Sequence, residues 1–296
     1  MPGLLAADGT PLHFERWGDP SAPVTVVLLH GYALDRRSWR AIAPVLAEAS
    51  AEESLAVVAY DQRGHGESGE VRASSATMGH LADDLAEVLE KVIPGGKVVL
   101  VGHDMGGLAI LSLAQRHPDV FAARVAGIGL LAMSAGGVTP DAIWPNALGK
   151  LGRDLEIVFG TKLIGLVREH TSKAVTAGLR WWLFGDDPVP ADVELTVRMI
   201  RGNWPQTVSA FRPALDAYTR ESALSQVGAV PVTAIVGERD KLVPTADVEE
   251  LAGAVENGTA VVLPGVGHVV PLEAAPQVIP RLLALANEAR RQPGLS

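Results

Sequence analysis

Apolar residues fall along this chain in two rhythms. Short runs rich in Val, Leu and Ile occupy 24–29, 55–60, 98–101 and 126–131, and the same signal returns at 232–236 and 260–263. Runs that are apolar at successive positions suit parallel strands covered by helices on both faces. Between them Met78, Leu81, Leu85, Val88, Leu89 and Val92 recur at helical spacing and make one apolar stripe. The start reads differently. Residues 4–7 lead into Asp8-Gly9, a dipeptide that favours tight turns with positive φ, and 12–17 return as an antiparallel partner. Eight strands with helices between them predict an α/β fold, a mostly parallel, doubly wound sheet behind an antiparallel start.

The rhythm breaks after Ser134. From 136 to 225 no buried-strand run occurs, and helical stretches at 154–170, 191–201 and 207–217 take over, interrupted by Gly185-Asp186-Asp187-Pro188. This predicts a core of residues 1–135 and 226–296, closed by a helix through Arg290, with a helical lid at 136–225 inserted before the last two strands. Four of the six tryptophans (Trp144, Trp181, Trp182 and Trp204) lie in the lid. Their bland role is to pack the lid onto the core. Their sharper role is to line an apolar substrate pocket, with Trp181, Trp182, Trp204 and Tyr218 as candidates.

Composition narrows the function classes. A formal charge of −9 disfavours nucleic acid, whose sites need a local basic surplus. With no cysteine there is no thiolate nucleophile, disulfide or Cys-ligated metal, which fits a cytoplasmic setting. The start MPGLLAADGT lacks the basic and apolar regions of a signal peptide. No run reaches the roughly 18 apolar residues of a membrane span. No histidine pair has metal-site spacing, so neither metal nor cofactor is expected, and the partner is a small molecule.

The strongest chemical signal is Gly102-His103-Asp104-Met105-Gly106-Gly107, directly after the 98–101 run and opening a helix to His117. A nucleophile on so sharp a strand-to-helix turn needs glycine two places before and two after it, where a Cβ would clash. Asp104 is therefore the candidate nucleophile. A helix N-cap is its dull alternative, but a cap does not call for flanking glycines. His30-Gly31-Tyr32 follows the 24–29 run, and the N–H groups of Tyr32 and Met105 are candidates for an oxyanion hole. Asp240 follows the 232–236 run and His268 follows the last strand, giving the chain order nucleophile, acid, histidine. Glu238 and Asp247 are nearby rivals to Asp240. His13, His80 and His117 read as ordinary surface residues, and Asp61 reads as the holder of a turn near the site.

With these pieces in place the sequence resembles the α/β-hydrolase superfamily over nearly its whole length. The HG loop, DQRGHGES, the elbow, GERDKLVP and GVGHVVPLE occur in family order. The frame is similar to the serine esterases and lipases, whose elbow reads GHSMGG. Asp104 in the serine position instead resembles the epoxide hydrolases and haloalkane dehalogenases. The resemblance implies an Asp104 nucleophile served by Asp240 and His268. A carboxylate attacking an acyl carbon gives an anhydride, a high-energy species. Attack at an sp³ carbon with a strained or good leaving group gives an alkyl ester, which His268-activated water can hydrolyse.

The leaving group follows from departures. Haloalkane dehalogenases place Trp beside the nucleophile, and the fluoroacetate type uses arginines; Met105 and Leu108 stand in those places here. Epoxide hydrolases use two lid tyrosines, and only Tyr218 falls in this lid, with Tyr32 or His170 as stand-ins. Epoxide opening to a diol on a largely apolar molecule is the leading expectation. The alternatives are a serine-esterase frame carrying Asp for Ser, a dehalogenase, and a non-catalytic ligand-binding protein.

Overall fold

A computed structural model describes residues 3–48, 55–93, 95–133, 173–203, 205–218 and 221–292. Strands β1 (Gly3–Leu5) and β2 (Pro11–Gly18) form the antiparallel start, turned at Gly9 with φ 83°. The parallel part is β3 (Val24–Leu29), β4 (Ala56–Tyr60), β5 (Lys97–His103), β6 (Val125–Leu131), β7 (Val232–Gly237) and β8 (Gly258–Leu263). The order across the eight-stranded sheet is β1-β2-β4-β3-β5-β6-β7-β8. β2 joins β4 antiparallel, and every later pairing is parallel.

Every residue of β3, β4 and β6 is buried, as their unbroken apolar runs require. One face is covered by α1 (Ala43–Glu48) and by α11 (Ala275–Arg291), the last described helix, which follows the short α10 (Val270–Glu273). The opposite face carries α2 (Met78–Lys91), α3 (Met105–Arg116) and, further along the chain, α9 (Thr245–Gly253). The 78–92 stripe buries Met78, Leu81, Leu85, Val88 and Leu89 against this face. Each fully buried Val, Leu or Met contributes about 1.5–3 kcal/mol of hydrophobic stabilisation. A short helix, α4 (Pro118–Arg124), leads from α3 into β6.

Between β6 and β7 lie four described helices: α5 (Lys173–Leu183), α6 (Pro190–Gly202), α7 (Pro205–Ala217) and α8 (Glu221–Val227). α6 and α7 match the helices expected at 191–201 and 207–217, while α5 and α8 were not read from the pattern. The helix expected at 154–170 lies outside the described residues, as do Trp144, His170 and Trp204. Buried residues of α5 and α6 form one apolar cluster with Ala33, Leu34, Val269 and Leu272, so these helices rest on the loops after β3 and β8. Among the described residues no helix is long and apolar enough to cross a membrane.

Backbone packs closely at the end of β5. A Cβ on Gly102 would lie 2.4 Å from the Gly106 carbonyl carbon, and one on Gly106 would lie 2.4 Å from the Leu29 carbonyl oxygen. Both atoms are backbone and cannot swing aside. Gly102→Ala should therefore destabilise the fold by about 1–3 kcal/mol, the range for forced overpacking. Urea unfolding checks this, and an unchanged midpoint would show that the elbow has slack.

Candidate active site

The chain crosses from β4 to the far side of β3 to lay down β5, so β3 and β5 are neighbours whose following loops diverge. A crevice outside the carboxyl ends of strands at such a switch is where open α/β sheets place ligands. The loop after β3 carries His30, Gly31 and Tyr32, and the turn after β5 carries Asp104. His30 is fully buried and bridges two loops: its Nδ1–H donates to the Gly31 carbonyl (2.8 Å), while Nε2 accepts from the Gln62 N–H (2.9 Å). Burial holds its pKa below the usual value, so it stays neutral and keeps this tautomer.

Asp104 has φ 48° and ψ −116°, a left-handed conformation that is strained for a residue with a Cβ and costs about 1–3 kcal/mol. Its side chain does not cap α3. It turns instead to the loop after β3, where the Tyr32 N–H donates to Asp104 Oδ2 at 2.9 Å. The close approach needs Gly31, because a Cβ there would come within 2.5 Å of His103 Nδ1 and 3.3 Å of Asp104 Cβ. Met105 opens α3, where the first amides have no intrahelical acceptor, so its N–H is presented at the same end as the carboxylate.

Asp240 follows β7 and is wholly buried. Its Oδ1 accepts from the N–H groups of Leu242 (2.8 Å) and Val243 (3.0 Å), and its Oδ2 accepts from His268 Nδ1–H at 2.9 Å. Of the rival carboxylates, Glu238 is exposed and accepts from the Gly265 N–H, so Asp240 is the one paired with the histidine. Burial alone would lower the His268 pKa. The charge and hydrogen bond of Asp240, then the charges of Asp104 and Glu273, outweigh burial and push it up to about 9. At neutral pH the resting imidazole is a cation held among carboxylates.

Two residues given no role in the sequence reading hold this histidine. His103 Nε2–H donates to the His268 carbonyl (2.9 Å), with the two rings 5.0 Å apart. Burial first, and then the charge on His268, push the His103 pKa down to about 4, so it is a neutral donor. Glu273 Oε2 accepts from the N–H groups of Gly185 (2.7 Å) and Gly267 (3.1 Å), tying the end of α5 to the histidine loop. The Leu183 carbonyl accepts from the His268 and Val269 N–H groups, completing the seam. Glu273 stands inside GVGHVVPLE, but nothing in its spacing announces a bond to Gly185.

The pocket candidates separate. Trp182 is half-buried and packs on the cluster containing Ala33, Leu34 and Val269. Trp181 is 69% exposed, with the Lys241 ammonium 4.8 Å from its ring centre, so it faces outward and not into the cluster. Adjacent helix residues sit about 100° apart around the axis, and here that rotation turns Trp181 to solvent while Trp182 stays partly buried. Tyr218 packs against the large core cluster on the α2 and α3 face of the sheet. Its hydroxyl is buried without a hydrogen-bond partner, and burial pushes its pKa up to about 12. Asp61 accepts from the Arg36 and Glu67 N–H groups and from the Arg36 guanidinium, which is the turn-holding role read from its sequence context.

Because Asp104 is one of the charges raising His268, removing it lowers the pKa of the imidazole. NMR titration of the imidazole in Asp104→Asn should give a midpoint below that of the parent, with the cation lost at lower pH. A midpoint unchanged from the parent would show that the two groups do not sense each other.

Comparison with known proteins agrees with this fold. Residues 26–281 match the Alpha/beta hydrolase family. A bifunctional esterase/perhydrolase of Acinetobacter calcoaceticus is 28% identical over 295 residues, covering 95% of this chain and 98% of that protein. Epoxide hydrolase A of Mycobacterium tuberculosis is 34% identical over 148 residues, half of this chain and 44% of its own. Among solved structures, a thermophilic esterase from Thermogutta terrifontis superposes with a TM-score of 0.75 at 24% identity, covering 97% of this chain and 98% of that one. With the strand order, the elbow after β5 and the family match all in agreement, the chain belongs to the alpha/beta hydrolase family.

Proposed function

We propose that this hydrolase works through Asp104 as a nucleophile that forms an alkyl ester, and that its reaction is the opening of an epoxide to a diol on a largely apolar small molecule. The observation that carries this reading is the Tyr32 N–H bond to Asp104 Oδ2. A serine hydrolase leaves its oxyanion hole empty for the acyl oxygen of the substrate. Here the hole is filled by an oxygen of residue 104 itself, which is the oxygen that bears negative charge when water attacks an ester of Asp104.

The steps follow from that placement. Asp104 Oδ1 attacks an epoxide carbon, the ring C–O bond breaks, and the ring oxygen takes the electron pair and a proton from a nearby donor. Tyr218 is assigned that role, since its hydroxyl is buried and has no other partner. The Asp104 charge disappears on ester formation, which removes one of the groups holding His268 protonated, and the imidazole returns its proton to the Tyr218 phenolate and becomes the base. His268, oriented by Asp240, takes a proton from water. The hydroxide adds to the Asp104 Cγ, and the Tyr32 and Met105 N–H groups hold the charge on Oδ2. Collapse expels the diol with the original Asp104 oxygen, the product takes the proton from His268, and Asp104 keeps an oxygen from water, its acid proton passing to His268 to restore the resting state.

A second reading has one specific observation in its favour. An esterase/perhydrolase is among the relatives that align over nearly the whole chain, whereas the epoxide hydrolase aligns over half. On that reading Asp104 replaces serine in an esterase frame, and its carboxylate blocks the hole.

Purified protein given aryl and aliphatic epoxides should yield diol, and Asp104→Asn should yield none. In heavy-oxygen water the Asp104 peptide should gain label. A parent that makes no diol, while Asp104→Ser hydrolyses p-nitrophenyl esters, establishes the esterase frame instead. Tyr218→Phe should slow diol formation by about 10²-fold or more, within the range of general-acid contributions; a rate equal to the parent's would remove Tyr218 from the mechanism.

A further inference from the structure

Asn203 ends α6 and is only 2% exposed. Its backbone N–H closes the helix on the Met199 carbonyl (3.3 Å). Its side chain reaches away from the helix to two core loops. Nδ2 donates to the carbonyls of Ala33 (2.7 Å) and Leu34 (3.3 Å), and Oδ1 accepts from the Gly66 N–H (2.8 Å). The orientation of the amide is fixed by its partners, because two carbonyls demand the NH2 and one N–H demands the oxygen.

The loop it grips is the one that presents Tyr32. Residues 31–34 form a turn closed by the Leu34 N–H on the Gly31 carbonyl (3.1 Å), and Ala33 at its third position has φ 60°. That position favours glycine, so the turn needs outside support. The Ala33 and Leu34 carbonyls are on buried residues with no water to turn to, and Asn203 satisfies both. On the other side, Gly66 lies in the loop of His65, whose ring sits 6.4 Å from the Tyr32 ring. Docking of α6 does not depend on these bonds. The Arg40–Asp192 ion pair (2.5 Å) and buried Val193, Val197 and Ile200 already hold it.

We infer that Asn203 is a positioning residue for the oxyanion hole: it fixes the 31–34 turn so that the Tyr32 N–H stays aimed at Asp104. The consequence for rate rests on the alkyl-ester reading above, while the consequence for the turn does not. Loss of the amide weakens the hole when water attacks the ester, a step later than ring opening. Asn203→Ala should therefore lower kcat for styrene oxide by about 10–100-fold, somewhat less than deletion of a whole donor. KM should fall with it, kcat/KM should stay near the parent value, and mass spectrometry should find Asp104 held as the ester in the steady state.

Three variants make the test. Asn203→Ala removes the amide, and Asn203→Asp keeps its size and the acceptor for Gly66 but sets an oxygen against both carbonyls. Arg40→Ala weakens docking of α6 without touching the turn. Amide hydrogen exchange across 30–36 should quicken in both Asn203 variants and not in Arg40→Ala. Equal exchange in all three overturns the inference, whatever the substrate. A loss of kcat/KM matching the loss of kcat, without ester accumulation, also overturns it. If the parent opens no epoxide, the reaction assignment fails and the exchange result alone decides the role of Asn203.

Discussion

The Tyr32 N–H reaches the Asp104 carboxylate because β3 and β5 are neighbours in the sheet although β4 separates them in the chain. That adjacency brings the ends of two strands so close that backbone replaces side chain at the contact. Gly31 and Gly106 are glycines for this reason, since a Cβ on Gly31 would meet the His103 ring and one on Gly106 the Leu29 carbonyl, while Gly102 is kept bare by the first turn of α3. The strained φ of Asp104 follows from the same crowding. Strain of this kind persists only where surroundings over-determine it, and here the α3 start, the β5 end and the loop after β3 all do so.

A second layer of organisation is electrical. His268 is buried beside Asp240, with Asp104 and Glu273 contributing further negative charge, and the sum outweighs desolvation. Neutral His30 and His103 carry no charge into this balance, because burial holds both below the usual imidazole value. They act as hydrogen-bonding struts. The histidines of the core thus divide into one charged member and neighbours whose fixed tautomers shape the loops around it.

The sheet and the elbow were legible in the sequence because their causes are local. An unbroken run such as 24–29 states that both faces are covered, and Gly102 and Gly106 around Asp104 state that the turn is tight. The pairing of Asp240 with His268 was legible from chain order together with position after a strand. The roles of Asn203 and Glu273 were not. Each makes its decisive bonds to backbone groups far away in the chain, such as Ala33 and Gly185, and a backbone partner leaves no mark in the residue pattern. Trp181 and Trp182 show another limit. Tryptophan content pointed to both, yet helical geometry turns one to solvent and the other inward.

The seam between α5 and the histidine loop has a consequence for engineering. The Leu183 carbonyl, Gly185 and Glu273 bind residues 183–185 to 267–273 through backbone contacts, and Gly185 and Gly267 interlock where no Cβ fits. The two segments behave as a single inherited part even though β7, α9 and β8 lie between them in the chain. A chimera that imported α5 and its neighbours from another hydrolase would have to import the matching stretch around residues 265–273 as well. Otherwise the graft would meet a His268 loop shaped for a different guest.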